Sequence, residues 1–179
     1  MSTAKAGGGR RVLLATLLAA AAMQAGWAEP DLGQPLDRDE IERWSLHVFP
    51  DGTGLPPGRG TPAEGATVYR RHCQSCHGSE GRGGSAEELA GATHRLNQPD
   101  PDKTIGSYWP YATTLFDYIR RSMPLNAPAA LSADQVYAVT AYLLQLNGIV
   151  RDGFVVDRET LPRIVMPNRQ GFFSDPHDR

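Results

Sequence analysis

Cysteine is scarce in this sequence, and its scarcity limits what the chain can bind. Only Cys73 and Cys76 are present among 179 residues, and a disulfide between them would close a loop of four residues. An isolated bridge of that kind serves redox chemistry more often than stability. A closed structural zinc site draws two ligand pairs from separate segments, and no second pair accompanies Cys73, Cys76, His77 and the neighbouring His72. A thioredoxin-like pair requires a βαβ surrounding, whereas the signals around these cysteines are helical.

Positive charge is also in short supply. Lys and Arg number 18 against 20 Asp and Glu, so the formal net charge is −2. Binding of nucleic acid requires a basic patch that neutralises phosphates, and this balance argues against such a partner. With 40% hydrophobic and 21% charged residues, the chain suits one small globular domain with appendages and not a multidomain enzyme.

Long apolar runs are missing beyond the N-terminus. Residues 1–28 contain a basic region (Lys5, Arg10 and Arg11), an apolar run at residues 12–23, and Gly-Trp-Ala at residues 26–28. This order is typical of a signal peptide, and we expect cleavage after Ala28. A retained membrane anchor is the alternative, but the run is shorter than the roughly 20 residues that a span needs. We therefore expect an exported, periplasmic protein that has no membrane contact after cleavage.

The two cysteines lie in one motif. Residues 73–77 read Cys-Gln-Ser-Cys-His, which is the C-x-x-C-H signature of c-type haem attachment. Two thiols three positions apart on a helical turn can add to the two vinyl groups of a haem. His77 follows directly and can present its imidazole to the iron. We predict one haem c, bound covalently through Cys73 and Cys76 and ligated by His77.

The flanking sequence supports this prediction. Residues 61–64 read Thr-Pro-Ala-Glu, a capping box with proline at the first helical position. They predict a helix from Ala63 to about Cys76, which places Tyr69 and Cys73 on one side. Glycines after the motif allow the backbone to turn closely around the porphyrin edge, although a plain flexible loop is the alternative. These glycines are Gly78, Gly81, Gly83 and Gly84.

A second axial ligand is expected well downstream of the motif. Methionine is the usual partner of histidine in soluble electron carriers. Met123 follows a predicted helix and precedes a proline, which fixes the loop, so we predict that its sulfur ligates the iron. Met166 lies beyond the last predicted helix, and packing of the tail is the simpler interpretation of it. His94 and His47 are the remaining alternatives.

An aromatic segment precedes the helix that leads to Met123. Residues 108–111 read Tyr-Trp-Pro-Tyr. Tyr108 and Trp109 are candidate haem contacts, because their rings can wall the haem and their polar hydrogens can reach its propionates. A hydrophobic plug without cofactor contact is the alternative. The following helix is predicted from three residues that share a face: Leu115, Tyr118 and Ile119.

The last predicted helix begins at a second capping box. Residues 132–135 read Ser-Ala-Asp-Gln, and the helix runs to about Asn147, where Gly148 ends it. Tyr142 on this helix is a candidate to contact Tyr69 on the first helix. The residues expected to face inward are Val136, Val139, Thr140, Leu143 and Leu144. Together the helices predict an all-α, class I cytochrome c fold, with three to five helices around one covalently bound haem.

One long segment is typical of a narrower family. Residues 104–124 read TIGSYWPYATTLFDYIRRSMP, and shorter matches lie at residues 50–58, 136–142, 146–150 and 166–169. With these residues the chain resembles the cytochrome c subunit of Sox-type sulfur (sulfane) dehydrogenases, over roughly residues 32–173. Some members carry two haems, whereas this chain has one C-x-x-C-H. It is therefore similar to the single-haem form, or to the small cytochrome of sulfite dehydrogenases.

The resemblance implies Cys73 and Cys76 as attachment sites and His77 and Met123 as axial ligands. It also implies a partner, a molybdenum-containing subunit related to sulfite oxidase. On this hypothesis the haem passes electrons one at a time to a downstream cytochrome, and the chain is not catalytic on its own. Two other functions stay open: a free soluble carrier without a dedicated dehydrogenase, and a haem sensor or peroxidase-like enzyme with an open axial position.

The expected organisation is a signal peptide, a cytochrome c domain at residues 61–148, and extensions at residues 29–60 and 149–179. The extensions exceed what a minimal cytochrome needs. Their proline and glycine content, and the aromatic pair Phe172 and Phe173, favour a role in docking the partner or covering the haem. Loose terminal segments are the alternative.

Overall fold

The structure, a computed structural model, describes residues 33–92 and 94–173. The predicted signal peptide, residues 1–28, lies outside the described residues. The chain divides into two units, Met1–Ile41 and Glu42–Arg179, and the C-x-x-C-H motif lies in the second. Within the described ranges, no helix has the length and apolar character that crossing a membrane requires.

Helices make up most of the regular structure in the described residues. They are α1 (Arg38–Trp44), α2 (Pro62–His72), α3 (Gln74–His77), α4 (Ala112–Ser122) and α5 (Ala133–Leu146), with 3-10 turns at Ser79–Gly81 and Leu161–Arg163. Strand β1 (Arg59–Gly60) pairs antiparallel with β2 (Val156–Asp157), with Gly60 opposite Val156. The all-α prediction is confirmed, and the short ladder is an addition that the sequence patterns did not indicate.

Helix α2 begins at the predicted capping box. The Thr61 hydroxyl accepts from the Glu64 N–H (3.4 Å), and the Glu64 carboxylate accepts from the Thr61 N–H (2.8 Å), which satisfies two donors that a helix start leaves unpaired. The helix does not run unbroken to Cys76, as predicted. It is interrupted at Cys73, whose φ of −121° departs from helical geometry. The His77 N–H then bonds the Cys73 carbonyl (3.0 Å), so the rest of the motif forms a separate helical turn, α3.

Helix α5 has both of its predicted ends. The capping box of Ser132 and Gln135 forms, with bonds of 3.3 and 2.9 Å. At the other end Gly148 adopts a φ of +68°, and the N–H groups of Gly148 and Ile149 donate to carbonyls three and five residues earlier (2.8 and 2.9 Å). This is the Schellman pattern that glycine favours. All five predicted inward residues are buried: Val136, Val139, Thr140, Leu143 and Leu144.

Helices α2 and α5 pack together where one backbone almost touches the other helix. Gly65 is buried, and a Cβ at this position would lie 1.9 Å from the Ala138 carbonyl oxygen, so only glycine allows the approach. The Tyr69 and Tyr142 rings extend the contact, with centroids 5.3 Å apart, as predicted. Because α2 leads directly into Cys73, this crossing fixes where the motif begins.

Helix α4 buries two of the three residues that were predicted to share its inner face. Leu115 and Ile119 are buried, but Tyr118 is 44% exposed, so its predicted place in the core is wrong. The buried face includes Phe116, which is fully buried, and a residue two positions further on lies about 200° around a helix of 3.6 residues per turn. Tyr118 instead packs edge-on against Trp109, with ring centroids 5.8 Å apart.

Helix α4 also holds the chain that precedes β1. The Asp117 carboxylate accepts from the Val48 N–H (2.8 Å) and from Nε of Arg121 (3.0 Å). The Thr113 hydroxyl donates to the Pro50 carbonyl (3.1 Å). Val48 is thereby held in the hydrophobic core, and the segment around it is fixed on α4.

The chain beyond α5 folds back onto the same core. Leu161 and Met166 are fully or almost fully buried, at 0% and 1% exposed. Val156 of β2 is buried as well and pairs with Gly60. The position of Met166 is that of a core residue that anchors the tail.

The carboxyl group of Asp117 makes the stability of this packing depend on pH. Burial raises the pKa of Asp117, but hydrogen bonds from Arg121 and the Val48 N–H outweigh that effect, so its pKa lies below the ordinary value. A carboxyl group with a lower pKa in the folded state stabilises the fold above its unfolded pKa of about 3.9. That contribution is lost as the pH falls through the folded pKa.

We expect Asp117→Ala to reduce the free energy of unfolding by roughly 1–3 kcal/mol at pH 7, because the buried Val48 N–H loses its acceptor. The variant should also lose less stability than the native protein between pH 5 and pH 2. Urea denaturation at both ends of this range measures both effects. Glu159→Ala, at an exposed carboxylate, is the control and should stay within about 0.5 kcal/mol. Equal losses in the two variants would contradict the assignment.

Candidate haem site

The two cysteines of the motif differ in exposure. Cys73 is half-buried and packs against the hydrophobic core, whereas Cys76 is exposed. Burial, together with the neighbouring Cys76, raises the pKa of the Cys73 thiol to about 11. One thiol of the motif therefore lies at the edge of the core, and the other faces solvent. This arrangement suits a group that is bound to both thiols at the surface of the core.

The His77 imidazole is oriented by a backbone carbonyl. Its Nδ1 lies 2.8 Å from the Glu87 carbonyl oxygen. A carbonyl only accepts, so Nδ1 carries the proton and the lone pair belongs to Nε2. A metal-ligating histidine typically donates its other ring N–H in this way, which fixes the tautomer and raises the basicity of the ligand. His77 therefore has the tautomer that an axial ligand bound through Nε2 requires.

The zinc alternative has no ligand set. In the part of the chain that the structure describes, no three His, Cys, Asp or Glu side chains lie close enough together to hold a metal ion. The four candidates, His72, Cys73, Cys76 and His77, lie at the end of α2, at the break after it and on α3, and do not form such a group. A single histidine ligand next to two thiols is instead the arrangement that covalent haem attachment uses.

The loop after the motif is held close to α2. The Tyr69 hydroxyl donates to the Gly78 carbonyl (2.9 Å), and burial raises the pKa of Tyr69 to about 12. Gly78 has a φ of +76°, and a Cβ there would lie 1.8 Å from the Arg82 carbonyl oxygen. The Ala86 N–H returns to the Cys76 carbonyl (2.9 Å). The glycine-rich segment is therefore an ordered, closely folded loop that brings Glu87 to His77.

The candidate distal ligands have different environments. Met123 caps the C-terminal end of α4 through its N–H bond to Ile119 (3.0 Å), is partly buried and packs against the hydrophobic core. Met166 is 1% exposed inside that core. The His94 ring lies 3.9 Å from Asp102, in an exposed loop, and His47 is exposed. Among these four, Met123 has a thioether at the edge of the core.

The structure separates the two aromatic candidates. Trp109 packs against the core and against Tyr118. Tyr108 turns towards the C-terminal segment: its ring meets Phe172 edge-on, with centroids 5.2 Å apart, and its carbonyl accepts from Nδ2 of Asn168 (2.7 Å). Trp109, like Cys73 and Met123, is a partly buried residue that packs against the core, whereas Tyr108 contacts the tail.

Two contributors to this site were not foreseen from the sequence. The Glu87 carbonyl is a backbone group, so no residue type signals its role. Asn147 bonds both Leu89 and Gly106 through its side chain, although its position at the end of α5 suggested only a helix terminus. Asparagine next to a C-terminal glycine was the one signal that pointed to it.

Comparison with known proteins decides the family. The family model for cytochrome c matches residues 62–147. The crystal structure of the sulfane dehydrogenase SoxCD from Paracoccus pantotrophus contains a similar chain, at 44% sequence identity and a TM-score of 0.77. The match covers 84% of this chain and 75% of that one. A comparison with curated proteins finds no match.

This chain belongs to the family of Sox cytochrome c subunits. The resemblance found in the sequence and the class I cytochrome c fold are both confirmed. Membership implies a covalently bound haem c, and the residues present fit it, because the thiols flank the start of α3 and Nε2 of His77 carries a lone pair. One C-x-x-C-H motif is available for attachment.

We expect Tyr69→Phe to reduce the free energy of unfolding of the haem-loaded cytochrome by roughly 1 kcal/mol, because the Gly78 carbonyl loses its hydrogen bond while the ring contact with Tyr142 remains. Chemical denaturation followed by far-UV circular dichroism measures the change. Tyr118→Phe removes a hydroxyl group from an exposed ring of α4 and should have no effect. If Tyr69→Phe also had none, the hydroxyl would not hold the loop.

Proposed function

We propose that this cytochrome is the electron-transfer subunit of a molybdenum-containing sulfur dehydrogenase in the periplasm. The observation that carries the proposal is the 44% identity with a sulfane dehydrogenase chain over 84% of this chain. The matched share of the chain is larger than residues 62–147, the part that the cytochrome c family model matches. The electrons released by oxidation of a sulfur compound at the partner subunit pass on, one at a time, to a downstream cytochrome.

The residues proposed to hold the haem are Cys73 and Cys76 as thioether attachment sites and His77 and Met123 as axial ligands. The bound haem supplies a one-electron acceptor and donor. The Glu87 carbonyl supports the role of His77, since it holds the ring in one tautomer. The position of Met123 at the end of α4, partly buried against the core, supports its role as the second ligand. With a ligand on each face, the site favours electron transfer over chemistry at an open iron.

Tyr108 and Trp109 are proposed to wall the haem in different ways. Trp109 lies at the edge of the core beside Tyr118, where it can cover an apolar face of the cofactor. Phe172 and the ammonium group of Lys103 lie against the Tyr108 ring, so the tail supports Tyr108 within this segment.

The described parts of the extensions at residues 42–60 and 149–173 are proposed to be integral to the cytochrome domain at residues 61–148. The part of the first extension that precedes β1 is tied to α4 by Asp117. The second extension places Met166 in the core and stacks the Arg169 guanidinium on the Tyr111 ring at 4.0 Å. We also propose export through a signal peptide at residues 1–28, supported by the basic, apolar and small-residue order of that segment.

The ligand assignment predicts different results for the two methionines of the mature chain. Met123→Ala should abolish the long-wavelength sulfur-to-iron absorption band of the oxidised protein, because the thioether leaves the iron. Met166→Ala should keep the band but reduce stability by about 2–5 kcal/mol, the usual cost of emptying a buried methionine site. Visible spectroscopy and denaturation of the haem-loaded variants measure both. Loss of the band in Met166→Ala alone would overturn the assignment of Met123.

The partner is tested by purifying the tagged, full-length chain from its native host. We expect a molybdenum-containing subunit to co-purify, and the complex to reduce its haem on addition of thiosulfate, sulfite or a protein-bound sulfane. Omission of the sulfur compound is the control and should leave the haem oxidised. A cytochrome that purifies alone, and whose haem none of the three compounds reduces in the presence of cell extract, would favour a free carrier instead.

A further inference from the structure

The side chain of Asn147 joins three separate segments at the C-terminal end of α5. Its Nδ2 donates to the Leu143 carbonyl (2.8 Å) and to the Leu89 carbonyl (3.0 Å), and its Oδ1 accepts from the Gly106 N–H (3.1 Å). Both amide hydrogens and the amide oxygen are therefore used. The bond to Leu143 is local to the helix end, whereas the other two reach residues 58 and 41 positions away. A helix terminus alone does not require these long-range bonds.

The hydrogen bond from Asn147 to Leu89 fixes the loop that contacts the proposed axial histidine. The Leu89 carbonyl also accepts from the Ile105 N–H (3.2 Å), and the Leu89 N–H donates to the Gly81 carbonyl (2.8 Å). Glu87, whose carbonyl holds Nδ1 of His77, lies two residues before Leu89. The loop that supplies the acceptor is thus fixed at Leu89 by bonds to three partners, and Asn147 is the one side chain among them.

The hydrogen bond between Asn147 and Gly106 fixes the chain just before the aromatic segment. A Cβ on Gly106 would lie 2.7 Å from Oδ1 of Asn147, so glycine is needed for the amide to approach. Two residues further on, the Tyr108 N–H bonds the Thr104 carbonyl (3.0 Å), and Trp109 follows. The same amide therefore sets the spacing between the loop after the motif and the segment before α4.

The amide lies beside water. A shallow, solvent-open depression of about 350 Å³ is lined by Leu146 and Asn147 at the end of α5 together with residues of both loops: Gly91, Ala92, Thr104, Gly106 and Ser107. Water in this depression can compete for the carbonyl and N–H groups that Asn147 bonds. Loss of the amide would therefore let the two loops relax apart without opening a void in the core.

We propose that Asn147 is a positioning residue for His77, acting through Leu89 and the Glu87 carbonyl. The amide keeps the Nδ1–H···O bond short and so sets how strongly the imidazole donates to the iron. A stronger bond at Nδ1 makes the ring a more basic ligand, which favours the ferric state and lowers the reduction potential. Asn147 thus holds the potential below the value that a loosely held histidine would give. The inference rests on the proposed role of His77 as an axial ligand.

The test compares Asn147→Asp and Asn147→Ala with Gln145→Ala in the haem-loaded protein. Aspartate retains an acceptor for the Gly106 N–H but loses both donors, so it removes the bonds to Leu89 and Leu143 and keeps the bond to Gly106. Gln145 lies on the same helix end, and its amide bonds the exposed Asp152 carboxylate, which makes it the matched control. Two quantities are measured: the midpoint potential, and the rate at which the His77 Nδ1 proton exchanges with water, by NMR.

We expect both Asn147 variants to exchange the Nδ1 proton roughly five- to tenfold faster, the range that one weakened hydrogen bond allows. Asn147→Ala should also raise the midpoint potential, whereas the negative charge of aspartate opposes that rise in Asn147→Asp, so the exchange rate is the deciding quantity for that variant. Gln145→Ala should change neither quantity. A lower melting temperature in both Asn147 variants, with the potential and the exchange rate unchanged, would make Asn147 a structural cap only and overturn the proposal. If Asn147→Ala does not accumulate as folded protein, Asn147→Asp decides. A native protein without haem-shifted His77 signals would instead refute the ligand assignment of the proposed function.

Discussion

The rest of the site depends on the crossing of α2 and α5 at Gly65. The two helices are so close here that no side chain fits between them, because a Cβ added at Gly65 would lie 1.9 Å from the Ala138 carbonyl oxygen. The crossing is extended by the Tyr69 and Tyr142 rings, and close packing of this sort transmits any displacement to the helix ends. One of those ends continues into Cys73, and the other carries Asn147. The helix pair therefore fixes both the attachment motif and the side chain that braces the loop opposite it.

The site itself is built largely from backbone groups. The Glu87 carbonyl orients His77, the Gly78 carbonyl receives the Tyr69 hydroxyl, and Leu89 is fixed by Asn147. Such groups must be placed by the path of the chain, because they have no rotamers of their own. For this reason a glycine, a buried tyrosine and an asparagine are all needed to hold one loop in place. The extensions matter for the same reason, because their side chains and backbone hold α4 and the aromatic segment in place.

The sequence predicted the parts of the fold that have local causes. Both capping boxes, the glycine end of α5 and the contact of Tyr69 with Tyr142 follow from residue types at fixed spacing, and all are present. The interruption of the helix at Cys73 and the exposure of Tyr118 were missed. The former has no signal in residue type, and the latter depends on which side of α4 meets the rest of the core. The ladder of β1 with β2 depends on contacts between distant segments, which periodicity cannot register. The burial of Met166 agrees with packing of the tail, the simpler interpretation of that residue.

The central claim is that Cys73 and Cys76 attach one haem covalently beside an oriented His77. It is tested most directly by the intact mass of the mature protein under acid denaturing conditions, combined with peptide mapping of residues 73–77. We expect a mass increase of a single haem that survives denaturation and maps to the peptide with both cysteines. Release of the haem on denaturation, or a mature protein whose two cysteines form a disulfide and carry no haem, would contradict it.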